Sequence, residues 1–230
     1  MKKYKTLLFD VDDTLLDFAA AEDSALSKLF ACQKIQLTPE IKTFYKKMNR
    51  AMWEDYEQGK LERDELVNTR FAKLFRRFGK LVDGMEMERD YRRYLQEGHQ
   101  LIQGARQLIF DLNKTFDLYI VTNGVKETQY KRLSDSGLSP FFKRIFVSEE
   151  TGYHKPDQRF FQYVFAHIPY FNKGGALIIG DSLISDILGG IRAGLDTCWF
   201  NAKNQHNELR EQPTYTVQRL EEIRAIVDIG

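Results

Sequence analysis

Two hydrophobic periodicities divide the chain. Short apolar runs bounded by polar turns mark buried strands at 5–10, 118–122, 144–148, 176–180 and 197–200, and a short edge strand at 215–217. Between them, apolar residues recur every three or four positions. That spacing predicts helices over 105–114, 126–136, 158–167 and 184–193, and one at the C-terminal end. Gly137 and Gly194 stand where two of these helices should stop. Apolar strands alternating with helices predict an α/β fold, with a parallel sheet covered on both faces.

From about Phe18 to Leu101 the strand signal nearly disappears. Helical spacing holds over 19–31, 39–58, 62–78 and 85–97. Thr38-Pro39 forms a helix start, and Asp83-Gly84 and Gly98 form breaks. The chain is therefore expected to build a core from 1–17 and 102–230, with 18–101 inserted after the first strand as a compact helical domain. No internal repeat, low-complexity segment or Gly/Ser linker interrupts this plan.

Composition narrows the class. At 43% hydrophobic and 29% charged, the 230 residues carry enough apolar mass for a real core. The 34 basic and 33 acidic residues nearly cancel, to +1, which leaves no electrostatic footprint for a nucleic-acid polymer or an anionic membrane. Lys and Arg cluster at 70–80 and 89–93, where a solvated helix face explains them. Cys32 and Cys198 have no metal-ligand or redox spacing and read as core-filling thiols. No run approaches transmembrane length and Met-Lys-Lys-Tyr-Lys leads into no signal-peptide core, so a cytoplasmic protein is expected.

The chemistry concentrates at strand ends. The first strand runs into Asp10-Val11-Asp12-Asp13-Thr14. Side chains two apart on an extended chain point the same way, so Asp10 and Asp12 should face one spot beyond the strand. Two carboxylates there repel unless a cation lies between them, and one of the pair can also attack an electrophile. A turn followed by a helix cap would explain the same residues without chemistry. Later strand ends tip the balance. The second ends in Thr122-Asn123-Gly124, a hydroxyl, an amide and a close-approach glycine suited to anionic oxygens. Lys155-Pro156 follows the third, and Gly180-Asp181-Ser182 with Asp186 closes the fourth. If the strands carrying Asp10 and Asp181 are neighbours, their carboxylates lie about 5 Å apart, a separation that a shared Mg²⁺ bridges.

These four ordered motifs, Asp10-Val-Asp12-Asp13-Thr14, Thr122, Lys155-Pro156 and Gly180-Asp181-Ser182-x-x-x-Asp186, resemble those of the haloacid dehalogenase-like hydrolase superfamily across 5–200. Thr122-Asn-Gly-Val125, Phe146-Val-Ser-Glu-Glu-Thr-Gly152 and Lys155-Pro156 further resemble its bacterial pyrimidine 5′-nucleotidase branch. The resemblance implies a Rossmann-like core with a mobile helical cap and a Mg²⁺-dependent phosphomonoesterase working through an aspartyl-phosphate. The expected substrate is a pyrimidine nucleoside monophosphate such as dUMP, UMP or TMP. It implies Asp10 as nucleophile and Asp12 as acid and base. Asp10, the Asp12 carbonyl and Asp181 would hold the metal, with Asp186 as a further ligand or orienter. Thr122, Asn123 and Lys155 would bind the phosphoryl oxygens, and Asp13 would be structural.

In the insert, Phe18, Trp53 and Tyr56 are candidates for stacking on a base, although aromatics at helical spacing are usually core. A sugar-phosphate phosphatase or phosphomutase shares every core residue. A 2-haloacid dehalogenase would have no need of Asp12, and a silent binding module no need of the whole set. The expected partner is a small phosphate monoester, with no nucleic acid polymer and no membrane, acting on a monomer or homodimer.

Overall fold

The computed structural model describes residues 3–229. Among them, the segment from Ala19 to Gly98 forms one compact unit, and the residues up to Phe18 and from His99 onward form another. In the second unit, six strands make one sheet in the order β3-β2-β1-β4-β5-β6, every pair parallel. They are β1 (Thr6–Phe9), β2 (Asp117–Thr122), β3 (Arg144–Val147), β4 (Ala176–Gly180), β5 (Asp196–Phe200) and β6 (Tyr215–Val217). The chain builds β2 and β3 to one side of β1, then crosses over to place β4 on the other. That reversal opens a crevice beyond the carboxyl ends of β1 and β4, the usual ligand position in open α/β sheets.

Period-two alternation sends neighbouring strand residues to opposite faces, and both faces are covered. Leu7, Phe9, Ile120 and Ile179 join Leu108, Ile109 and Leu112 of α5 (Ala105–Leu112) and Leu133 of α6 (Lys126–Asp135). Leu8, Val121, Phe146 and Ile178 join Phe160, Phe161 and Val164 of α8 (Gln158–Ala166). Both α6 and the helix after β4 stop at glycines in the left-handed conformation, Gly137 and Gly194.

Two elements depart from the predicted pattern. A single helical turn, α7 (Ser148–Thr151), follows β3 without a loop. The helix expected over 184–193 begins as a π-helical segment, Leu183–Leu188, and becomes α-helical only in α9 (Gly189–Ala193). Apolar periodicity cannot separate the two windings; the cause is local. The N–H groups of Asp186 and Ile187 both donate to the Ser182 carbonyl, at 3.1 Å each. A short helix, α10 (Ile223–Ile226), lies near the C-terminal end.

The other unit is built from α1 (Phe18–Cys32), α2 (Pro39–Glu57), α3 (Arg63–Arg77) and α4 (Gly84–Leu95). Thr38 caps α2 through its side chain, as the sequence predicts, and Asp83, read there only as part of a break, caps α4. Each helix contributes one buried polar group to a single network. Arg70 donates to both carboxylate oxygens of Glu88, at 2.8 and 2.7 Å, and to Asn49 at 2.9 Å; Asn49 donates to Glu22 at 3.0 Å. Burial pushes the Glu22 carboxyl above its ordinary value, while Lys46 and Arg70 draw it down. Cys198 is buried as expected, but Cys32 is exposed, because it ends α1 beyond the helix's packed face. Among the described residues, no helix is long and apolar enough to cross a membrane.

Candidate active site

Strand register brings the predicted residues together. Phe9 pairs with Ile120 on one side and Ile179 on the other, so Asp10 lies one step past the sheet between the ends of β2 and β4. Its backbone N–H still donates to Ile179, at 2.9 Å, which holds the residue in line with the strand. Lys155, only 1% exposed, reaches in from beyond α7. Its ammonium donates to Asp10 at 2.8 Å, to Asp186 at 2.6 Å and to the Val121 carbonyl at 2.8 Å, which uses all three of its protons.

Asp10, Asp181 and Asp186 each offer a carboxylate oxygen, and these oxygens all lie within 4.8 Å of one another. Three carboxyl groups face one lysine in a largely buried place, more than its single charge neutralises once they are ionised. The donor set is all oxygen, so the residues fit a hard divalent cation. The π-helical turn aims Asp186 back toward β4, where it also accepts from the Ser182 N–H at 3.1 Å. That approach requires glycine at position 180: a Cβ there would lie 2.2 Å from the Asp186 carboxyl carbon.

Electrostatics follow from this crowding. Burial pushes the Asp10 carboxyl up to about 7; Lys155 pulls against that shift, and Asp186 and Asp12 add to it. Burial, then the charges of Asp10 and Asp186, hold Asp181 well above the usual carboxylate range. For Lys155, burial disfavours the ammonium, but Asp10 and Asp186 outweigh it and keep the group protonated.

On the β2 side of Asp10 the arrangement holds two residues that pattern reading missed. Gln129, on α6, donates through one amide nitrogen to Asp12 at 2.8 Å and to the Thr122 hydroxyl at 2.8 Å. Arg132, one turn further and fully buried, pairs with the other oxygen of Asp12 and donates to the Gln129 carbonyl at 3.2 Å. Their only sequence signal was polar residues three apart on the helix after the Thr122 strand. In Lys126–Asp135, crowded with charges, that pattern looks like a solvated face. Gly124 makes room for the amide, since a Cβ there would lie 2.4 Å from the Gln129 nitrogen. Thr122 accepts from both Gln129 and the Gly124 N–H, at 3.1 Å, so its own O–H remains to donate elsewhere.

The remaining predicted residues have clear positions. The Asn123 side chain holds the backbone of Lys155, its oxygen accepting from the N–H at 2.9 Å and its nitrogen donating one proton to the carbonyl at 2.8 Å. The amide thus anchors the lysine's loop and keeps a second N–H beside it. Asp13 adopts a left-handed backbone (φ 55°) and accepts from the Phe18 N–H and from Lys203, matching a structural role. The Phe18 ring faces the Arg132 guanidinium at 5.8 Å. Tyr56 is buried in an apolar cluster of the helical unit with Met52, Leu66 and Val67, and the half-buried Trp53 packs edge-on against it at 5.7 Å.

The model of the family described as haloacid dehalogenase-like hydrolase matches residues 7–200. The chain belongs to the haloacid dehalogenase-like hydrolases. Within these hydrolases, YfnB of Bacillus subtilis is 57% identical over 100% of this chain and 97% of its own length. The crystal structure of YfnB bound to magnesium superposes with a TM-score of 0.96 at 56% identity, covering 99% of this chain and 100% of that one. Pyrimidine 5′-nucleotidase PynA of Streptococcus pneumoniae is 42% identical over 98% of this chain and 95% of its own. Pyrimidine 5′-nucleotidase YjjG of Escherichia coli is 30% identical over 98% of each chain. The predicted resemblance, to the superfamily and to its nucleotidase branch, is borne out.

Proposed function

We propose that this hydrolase is a Mg²⁺-dependent phosphomonoesterase that cleaves pyrimidine nucleoside 5′-monophosphates through a phosphorylated Asp10. The observation that carries this reading is the buried set Asp10–Lys155–Asp186–Asp181, with Asp12 held beside it. A dehalogenase would have no leaving-group oxygen to protonate and no use for the acidic cluster. The substrate class rests on PynA and YjjG, which are similar along the whole chain, and the metal's identity on the magnesium in YfnB.

Asp10 attacks phosphorus, and the bond to the leaving oxygen breaks. Asp12 donates a proton to that oxygen, then removes one from the water that hydrolyses the acyl phosphate. Thr122 donates its free O–H to a phosphoryl oxygen, and Lys155 offsets charge that develops beside Asp10. Asp10, the Asp12 carbonyl, Asp181 and Asp186 would hold Mg²⁺, which when bound neutralises phosphate charge and keeps the Asp10 carboxylate ionised. Choice among monophosphates is assigned to the helical unit.

The test is phosphate release from dUMP, UMP, TMP, purine monophosphates, sugar phosphates and p-nitrophenyl phosphate, with Mg²⁺ and with chelator. Chelator-sensitive turnover favouring the pyrimidine nucleotides is expected, and Asp10→Asn should abolish it in a folded protein. Turnover confined to sugar phosphates would remove the substrate assignment. Wild-type release from Asp10→Asn would remove the mechanism.

A further inference from the structure

Asp12 is asked to move protons while standing beside another carboxylate, three residues beyond the end of β1. The grip comes from α6. Arg132 holds one Asp12 oxygen and Gln129 the other at 2.8 Å, while Arg132 also braces the Gln129 carbonyl at 3.2 Å. The same Gln129 nitrogen donates to Thr122 at 2.8 Å. One buried Arg–Gln pair therefore ties the proton-transfer carboxylate to the phosphoryl-binding hydroxyl. It does so on the β2 side of Asp10, away from the acidic cluster at the end of β4.

Burial makes this grip rigid. Arg132 is 0% and Gln129 1% exposed, whereas the Asp12 side chain retains 30% exposure. Asp12 is thus anchored at its back and open at its front. A guanidinium is planar and offers a fixed fork of donors, so it sets direction as well as charge. Its charge also offsets the repulsion between Asp12 and Asp10, which lets the two carboxylates share one strand end.

We propose that Arg132, acting with Gln129, is a positioning residue for Asp12: it aims that carboxylate at the leaving-group oxygen in register with Thr122. This rests on the phosphomonoesterase reading and extends it to residues outside the four motifs. Its signature is a dependence on the leaving group. A nucleoside 5′-oxygen leaves poorly without a proton, whereas p-nitrophenolate leaves as a stable anion. Losing the aim of Asp12 should therefore slow phosphoenzyme formation from the first substrate far more than from the second, while hydrolysis of the acyl phosphate slows equally for both.

The experiment compares kcat and KM of wild type, Arg132→Met, Arg132→Lys and Gln129→Glu on dUMP and p-nitrophenyl phosphate, with saturating Mg²⁺. Gln129→Glu is nearly isosteric and puts an acceptor opposite Asp12, so it serves as the reading if Arg132→Met does not fold. For Arg132→Met or Gln129→Glu, kcat/KM on dUMP, which reports phosphoenzyme formation, should fall about 10²-fold, within the range ascribed to general acid–base groups. On p-nitrophenyl phosphate kcat/KM should fall less than about tenfold, while its kcat also drops because hydrolysis of the shared acyl phosphate needs Asp12 as base. Arg132→Lys, which keeps the charge without the fork, should recover part of the difference. An equal fall in kcat/KM on both substrates, or no fall on dUMP, would overturn the positioning role while leaving the phosphatase standing. A wild type that releases phosphate from neither substrate would overturn both.

Discussion

Replacing Lys155 by methionine tests the electrostatic balance of the whole cluster. The lysine makes charge-assisted hydrogen bonds to two carboxylates, Asp10 at 2.8 Å and Asp186 at 2.6 Å, from a site only 1% exposed. Each such bond contributes ~1.5–3 kcal/mol, and removing one partner of a buried pair costs ~3–5 kcal/mol in measured cases. A loss of about 4 kcal/mol is therefore expected at pH 8 in metal-free protein.

The loss should depend on pH, with a definite sign. Asp10 is already pushed up to about 7, and Lys155 is what pulls it down, so the variant's Asp10 must lie higher still. An acid whose folded pKa is raised contributes its stability below the unfolded value, near ~3.9, and loses it as pH rises through the folded value. The variant suffers more of that loss than the wild type. The gap between the two should thus be widest above pH 7 and shrink by about 1 kcal/mol at pH 5, where Asp10 is protonated in both. Urea unfolding at pH 5 and 8 in chelator measures both. A Trp53→Phe background leaves Trp199, whose indole donates to the Asp181 carbonyl at 2.9 Å, to report on the core. An equal gap at both pH values, or a wider one at pH 5, would refute the reasoning.

Three further outcomes follow from the same geometry. Adding Mg²⁺ to metal-free protein at pH 7 should release protons, because Asp10 and Asp181 have raised values and must ionise to bind; calorimetric enthalpies that are identical in buffers of different ionisation heat would contradict this. Gly180→Ala should destabilise the core by ~1–3 kcal/mol and weaken Mg²⁺ binding roughly tenfold or more, since the added methyl displaces Asp186; wild-type affinity by titration would show otherwise. Arg70→Met should lower the stability of the helical unit by ~3–5 kcal/mol by stranding Glu88, and a change below about 1 kcal/mol in Trp53-monitored unfolding would mean Arg92 compensates alone.

The sequence by itself determined what depends on near neighbours in the chain. Strands, helices and their stops follow from periodicity and turn chemistry, and those are local. Asp10, Thr122, Lys155 and Asp181 stood out because each lies at or beyond the carboxyl end of a strand, and strand ends in a parallel sheet share one edge. Only the tertiary structure decided how those ends are used. The placement of β4 beside β1 brings Asp10 and Asp181 together, and the π-helical turn swings Asp186 under Gly180. The Asn123 amide grips the Lys155 backbone across 32 residues, and Arg132 reaches Asp12 across 120. Such contacts leave no trace in local spacing, because a polar residue bound for a buried partner is written the same way as one bound for water.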